Sequence, residues 1–424
     1  MQTGIAQNIG VTSLIGRAII KLSPLTAVYI AVILATQTNE FRGDEGGYVS
    51  FATNLTHGHY SPRGDVDLWW GPGYPIILAP FVLMGVPFLV PRLLNAAFLF
   101  FAVVYFYHSL RLYTSSKYLL PIAYVFGLYP PFLRFLGFLW TETLAVLLIC
   151  GMTYHFCKLG QEGVGGRKHE LLSGIYLGYL ALTRVFFGYV ILASLILSAL
   201  AFLWKRRLVF KKALLVCLIA FAVCLPYLFY TYSLTGRVFY WSNSGGLQLY
   251  WMSSPYSDEL GDWQFRDPAK GHHDAVEKHL AFFEKVAKLP SVERDEAFRT
   301  AGIQNIVNHP FKYFTNWLAN MGRLFFDYPY SYGPQSTRTY FYMMPNMFIF
   351  VFMVLTIYPA WRRRSATPTE LHLLLGFALI TIAGNSLLSA YTRFFCILVP
   401  IVGAFMIVVL VNARSVTSLE LEMT

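Results

Sequence analysis

The stretch Pro72-Gly73-Tyr74-Pro75-Ile76-Ile77-Leu78-Ala79-Pro80-Phe81-Val82-Leu83-Met84-Gly85-Val86-Pro87-Phe88-Leu89-Val90 is apolar over nearly all its length, yet proline interrupts it at Pro80 and Pro87. A bilayer span needs about 20 predominantly apolar residues. Whether this stretch crosses sets the side on which every later loop falls. The surrounding composition establishes that there is a bilayer to cross. Of 424 residues, 56% are hydrophobic, 17% aromatic and only 13% charged, with a mean hydropathy of +0.50. Soluble domains carry about 25% charged residues. Half that share cannot cover a water-facing surface of this size. A soluble enzyme and a nucleic-acid binder are both excluded, and an integral membrane protein remains.

Apolar runs of span length occur at 18–37, 92–111, 118–135, 142–158, 170–188, 188–204, 212–232, 340–360, 370–389 and 394–413. The reading is an all-α polytopic membrane protein with about ten transmembrane helices, forming a single membrane domain over 1–424. The first run has no small-residue cleavage site behind it, so it reads as a retained span. The net charge of +11 is the signature of orientation, because cytoplasmic loops collect Lys and Arg. If 72–90 stays on one side, one face gathers Arg17 and Lys21, Arg111 and Lys117, Lys158 with Arg167 and Lys168, Lys205-Arg206-Arg207, Arg362-Arg363-Arg364 and Arg414. If it crosses, Arg111 and Lys117 change sides and the pattern breaks. We therefore expect 72–90 to be a juxtamembrane or re-entrant helix of a multi-pass inner (plasma) membrane protein. Both termini are then cytoplasmic, and two larger segments, 38–91 and 233–339, are extracytoplasmic. Within the second, 311–327 alternates aromatic and polar residues, as a helix lying at the interface does. The five cysteines all lie in apolar runs, so neither a disulfide framework nor a thiolate metal site is indicated.

Charge is scarce, and its placement is informative. Between Tyr74 and Tyr232 the acids are Glu142, Glu162 and Glu170, and the last two belong to a basic loop. Glu142 stands alone at the outer end of a span, within Leu139-Trp140-Thr141-Glu142-Thr143. An ionisable group at membrane depth is costly, which makes it a candidate functional residue; a favourable first-turn acid behind a Thr141 N-cap is the alternative. A second acidic group, Asp44-Glu45, is flanked by Gly43 and Gly46-Gly47 and followed by Tyr48. A solvated turn capping the next helix would read the same way. Asp65-Val66-Asp67, ahead of Trp69-Trp70, resembles the metal-holding Asp-x-Asp of nucleotide-sugar transferases, but no nucleotide-binding domain surrounds it. It reads as loop acids at the rim of a site. The outward arginines near spans are Arg92, Arg134, Arg184 and Arg393. Guanidinium groups match phosphate oxygens with planar, charge-assisted contacts; anchoring a helix end by snorkelling is the competing role.

In this order, the motifs resemble the GT-C superfamily of membrane glycosyltransferases. Within it they resemble the branch of protein O-mannosyltransferases and lipid A aminoarabinose transferases. The resemblance rests on Asp44-Glu45 with Tyr48, on Pro72-Gly73-Tyr74-Pro75, and on Pro91-Arg92-Leu93-Leu94-Asn95. It continues through Pro130-Pro131 before Glu142, Thr183-Arg184, Thr235-Gly236-Arg237 through Gly245-Gly246, and Tyr391-Thr392-Arg393-Phe394. Two departures stand out: a Glu at 142 where many relatives carry Asp, and a short chain without a soluble C-terminal domain. The resemblance implies transfer of a sugar from a polyprenyl- or dolichyl-phosphate donor to an acceptor hydroxyl at the extracytoplasmic face. It assigns Asp44 as general base, with Glu142 and Glu45 assisting, and Arg184, Arg393 and Arg92 as the donor-phosphate contacts. Asp65, Asp67, Tyr48 and His59 would form the rim. It allows a divalent metal ion held by Asp44 and Glu142 and calls for no nucleotide or organic cofactor. The acceptor it implies is a glycolipid, a polysaccharide or a protein. A polymerase or ligase of envelope polysaccharide and a polytopic transporter or flippase are the rival readings.

Overall fold

A computed structural model describes residues 16–38, 40–161, 166–333 and 337–422, so Glu162 lies outside the described residues. Helices occupy each of the apolar runs. The first is bent by 44° between α1 (Gly16–Leu22) and α2 (Pro24–Thr36), where Pro24 interrupts it. After α3 (Glu45–Thr56) and α4 (Gly73–Leu83) come α5 (Leu89–Arg111), α6 (Leu119–Gly127) and α7 (Pro130–Phe135). The run 118–135 is thus two short helices, divided just before Pro130-Pro131, since the residue before a proline is disfavoured in helical geometry. Next are α8 (Glu142–Leu159), α9 (Gly166–Thr183), α10 (Phe186–Lys205) and α11 (Leu208–Thr235). The large loop folds as α12 (Gly245–Met252), α13 (His273–Ala287), α14 (Ser291–Asn308) and α15 (Pro310–Phe326). The chain ends in α16 (Thr337–Arg362), α17 (Thr369–Ser386), α18 (Arg393–Cys396) and α19 (Val399–Glu422). Five of these helices are long and apolar enough to cross a membrane alone, and the bent first pair makes a sixth. The remaining runs are helices that are shorter, broken or more polar.

The interrupted stretch resolves into α4, whose 11 residues extend about 17 Å at 1.5 Å per residue, against a hydrocarbon core of about 30 Å. It is pinned where α9 ends. A Cβ on Gly71 would lie 2.2 Å from the Leu182 carbonyl oxygen, and one on Gly73 would lie 2.5 Å from Thr183 Oγ1. Only glycine allows this approach, and Tyr179 seals it by donating to the Gly73 carbonyl at 2.7 Å. The Pro-Gly-Tyr-Pro turn is therefore fastened beside Thr183-Arg184.

Two hydrophobic cores result. The larger joins the spans, with Tyr29, Leu99, Phe132, Ile149, Leu180 and Phe395 among its fully enclosed members. The smaller, built from Leu247, Tyr250, Trp251, Phe265, Phe283 and Phe298, lies within the large loop. Helix α15 is amphipathic in the inverted sense. Its buried face is polar: Asn316 donates to the carbonyls of Met252 and Ser254, and Asn320 to those of Ser386 and Leu388. Its exposed face presents Phe311, Phe314 and Leu318. A helix with its apolar face outward suits the membrane interface.

The start of α3 is held by a buried ion pair. Arg92 Nη2 donates to Glu45 Oε1 at 3.0 Å, with both side chains almost fully enclosed. Glu45 also accepts from the backbone N–H groups of Arg42 and Leu139, each at 2.8 Å, and Arg92 Nη1 donates to the Thr38 carbonyl at 2.6 Å. One carboxylate thereby ties α3, α5 and the turn before α8 together. Removing one member of such a pair strands the other charge, at a cost of roughly 3–5 kcal/mol. Glu45→Ala and Arg92→Ala should each lower the melting temperature in detergent markedly, followed by tryptophan fluorescence. A Glu45→Ala protein that melts like the wild type would show that this anchor is not needed.

Candidate functional site

The helix breaks and starts converge at one end of the bundle. Asp44 sits immediately before α3, Glu142 opens α8, Arg184 lies in the break between α9 and α10, and Arg393 opens α18. Arg393 Nη1 donates to Asp44 Oδ2 at 2.9 Å and to Glu142 Oε1 at 3.3 Å. Arg184 Nη1 reaches the same Glu142 oxygen at 3.3 Å. Four groups far apart in the chain thus form one alternating cluster of two carboxylates and two guanidinium groups. Aromatic rings hold the cations in place. Arg184 lies 4.9 Å from the centroid of Phe394, and Arg393 lies 5.2 Å from that of Tyr391.

The cluster opens onto a cavity of about 230 Å³. Asp44, Tyr48, Arg184 and Arg393 line it together with Trp69, Trp70, Gln248, Trp263, Asn385 and Ser389. Asp44 and Arg393 are partly open, at 30% and 24% side-chain exposure, whereas Glu142 is at 1%. That difference separates their roles. Asp44 and the arginines can touch a ligand, while Glu142 stands behind them and orients both guanidinium groups. Its second oxygen, Oε2, is buried without a hydrogen-bond partner.

Several expected site residues lie elsewhere. Glu45 and Arg92 are spent on one another and line no part of the cavity. Each satisfies a buried partner, so neither presents a group to a substrate here. Asp65 and Asp67 act as staples between the first loop and the large loop. Asp65 accepts from the Ser291 N–H at 2.9 Å and from its hydroxyl at 2.5 Å, and lies 3.5 Å from Arg294. Against the penalty of burial, the Ser291 bonds and the neighbouring arginines hold the Asp65 carboxyl below its usual range. Asp67 pairs with Arg266 at 2.8 Å, and that guanidinium lies 4.2 Å from the Trp69 ring centroid. His59 is likewise outside the cavity, its ring nitrogen 3.3 Å from the His57 carbonyl. Arg134 lies 5.4 Å from the ring centroid of Tyr342. Of the expected rim, Tyr48 does face the cavity.

The two carboxylates expected to hold a divalent ion are each engaged by arginine. Asp44 and Glu142 already share the Arg393 guanidinium, and Arg184 further neutralises Glu142. Among the described residues no group of three or more His, Cys, Asp or Glu side chains is gathered that could hold a metal. Positive charge at this site is supplied by arginine. The residues that sequence reasoning missed are the far wall, Gln248, Trp263, Asn385 and Ser389. They come from the large loop and the segment around the end of α17, and nothing in their local sequence marks them.

No protein-family model matches the chain, and no curated protein matches it in sequence. Solved structures do match. Over 96% of its length the chain resembles the archaeal oligosaccharyltransferase AglB from Archaeoglobus fulgidus in complex with an inhibitory peptide and a dolichol-phosphate, with a TM-score of 0.51 and 16% identity. It resembles the A. fulgidus enzyme tethered with an acceptor peptide over 93% of its length, with a TM-score of 0.53 and 14% identity. The chain spans about half the length of these proteins, 51% and 50%. ArnT from Cupriavidus metallidurans bound to undecaprenyl phosphate also matches, with a TM-score of 0.41 and 12% identity, over 93% of this chain and 77% of that one. At these identities the likeness is one of fold: an all-α, polytopic architecture shared with these oligosaccharyltransferase structures.

Proposed function

We propose that this protein is a membrane glycosyltransferase that moves a sugar from a polyprenyl-phosphate donor to an acceptor hydroxyl at the extracytoplasmic face. One observation carries the reading: Asp44, which pairs with Arg393, lines a single cavity together with Arg393 and Arg184, where the break between α9 and α10 meets the starts of α3 and α18. A lipid-phosphate donor has its scissile bond at the interface, held there by its own tail. The site must therefore sit at a helix end and offer cations for the phosphate. Both conditions are met by residues that a structural role alone would not require to be exposed. The large basic clusters lie at the other end: α8 and α10 lead away from the site toward Lys158 and Lys205, and Lys212 donates to the Leu159 carbonyl there. By the positive-inside rule that end is cytoplasmic.

In this mechanism Asp44 accepts the proton of the acceptor hydroxyl as its oxygen attacks the anomeric carbon. The bond from that carbon to the phosphate oxygen breaks, and its electron pair leaves with the polyprenyl phosphate. A single displacement of this kind inverts the anomeric configuration. Arg184 and Arg393 meet the charge that grows on the leaving phosphate, in a setting prearranged by Glu142. Donor phosphate competes with Asp44 for Arg393, so donor binding loosens the 2.9 Å pair and frees the carboxylate to act as base. Glu142 is a positioning residue here, since it reaches the cavity only through the arginines.

Asp44→Asn keeps the hydrogen-bonding shape and removes the basicity. It should lower sugar transfer by about 100- to 10,000-fold while donor binding is kept or tightened, because a neutral Asn competes less well than Asp for Arg393; near-normal turnover would sink the base assignment. Arg184→Gln should instead weaken donor binding by about tenfold or more, the usual scale for losing a hydrogen bond to a charged group. It should leave acceptor KM little changed, measured with a polyprenyl-phosphate hexose. Equal effects on both substrates would count against a phosphate contact.

A further inference from the structure

A second cavity, of about 320 Å³, lies within the large loop and shares Trp69 with the first. Its floor is apolar: Leu247, Phe283, Val286 and Phe298, all buried. Its rim is polar and mixed in sign, with Arg266 and Arg294 set among Asp267, Glu284 and Asp295. The proposed transfer chemistry uses none of these groups. Their arrangement is selective. An anionic ligand would face three carboxylates, and a cationic one would face two guanidinium groups. A ligand whose polar groups both donate and accept would find partners around the whole rim, and hydroxyl groups do both. Pyranose rings also carry C–H faces that settle on aromatic and aliphatic side chains such as those of the floor. The size agrees, since small-ligand pockets begin at about 300 Å³.

The rim is built, not incidental. Asp295 is 6% exposed and accepts from the Gly246 N–H at 2.7 Å, which ties α14 to the start of α12. Burial pushes its carboxyl up to about 6, against the pull of that bond. Arg294 is braced by the Ser291 hydroxyl at 2.6 Å, and Arg266 by Asp67 and the Trp69 ring. The first loop and the large loop are stitched together at this place through Asn243, which donates to the Val66 carbonyl at 2.9 Å and accepts from Leu68 N–H at 3.1 Å. Trp69 is thereby fixed as the partition between the two cavities.

We infer that the second cavity binds the acceptor, and that the acceptor is an uncharged oligosaccharide. One sugar seats over Phe283 and Phe298, and the chain passes Trp69 to bring its terminal hydroxyl to Asp44. This rests on the proposed transferase activity for its consequence but not for its binding step. Two readouts therefore separate the two. The full-length protein in nanodiscs is applied to an array of neutral oligosaccharides, acidic oligosaccharides and peptides. In parallel, its slow hydrolysis of a polyprenyl-phosphate hexose is followed without acceptor. Ala287 lines the cavity from an exposed position, so Ala287→Trp fills the cavity without disturbing the core; Glu284→Ala, at an exposed rim residue, is the milder second variant.

The expected result is retention of neutral oligosaccharides that falls about tenfold or more in each variant, with donor hydrolysis equal in all three proteins. Retention of acidic glycans or peptides instead, no retention at all, or neutral-glycan retention unaffected by both variants would overturn the inference. Retention that behaves as expected in proteins that do not hydrolyse the donor would overturn the transferase reading and leave the glycan site standing.

Discussion

Arg393 holds together what the chain keeps far apart. Its Nη1 bridges Asp44, at the start of the first loop, and Glu142, at the head of α8, while its own backbone opens α18 near the end of the chain. Glu142, at 1% exposure, would alone be a buried ionised group, a state that costs several kcal/mol unless the charge is paired. Pairing removes most of that cost only if the three helix starts meet. The charges therefore demand that α3, α8 and α18 begin at one place, and Arg184 at the α9–α10 break completes the set.

The rest of the site follows from how that meeting point is supported. The buried Arg92–Glu45 pair fastens α3 beneath Asp44, and glycines at 71 and 73 let the Pro-Gly-Tyr-Pro turn close on Thr183. The first loop is then held against the large loop by Asp65, Asp67 and Asn243. These are fixed supports, and they leave Asp44 and the two arginines as the charged groups of the cluster that face the cavity. The division between supporting and facing groups gives the proposed chemistry its geometry: a base on one side, cations opposite, and an enclosed carboxylate behind them that keeps the cations aimed.

Much of this was legible in the sequence. Asp44, Glu142, Arg184 and Arg393 stood out because charge is rare in the chain, and a rare charge beside a span needs a reason. The helical runs were legible for the same reason, since twenty apolar residues have few other fates. The choice among similar charges was not legible. Glu45 is adjacent to Asp44 and Arg92 begins a span as Arg393 does, yet these two neutralise one another in the interior. Side-chain direction at a helix start differs by about 100° between consecutive residues, so neighbours in sequence can face cavity and core. Asp65 and Asp67 were ambiguous because their partners, Ser291, Arg294 and Arg266, are some two hundred positions away.

By itself, then, the sequence determined that this is a helical membrane protein with scarce charges gathered near a few span ends, because hydropathy and charge act locally and are read residue by residue. Only the tertiary structure decided which charges meet. It paired Glu45 with Arg92, set Glu142 behind two arginines, and placed Trp69 as the wall between two cavities. The physical reason is that pairing a charge depends on distance in space, which falls to about 3 Å between residues that the chain separates by hundreds of positions.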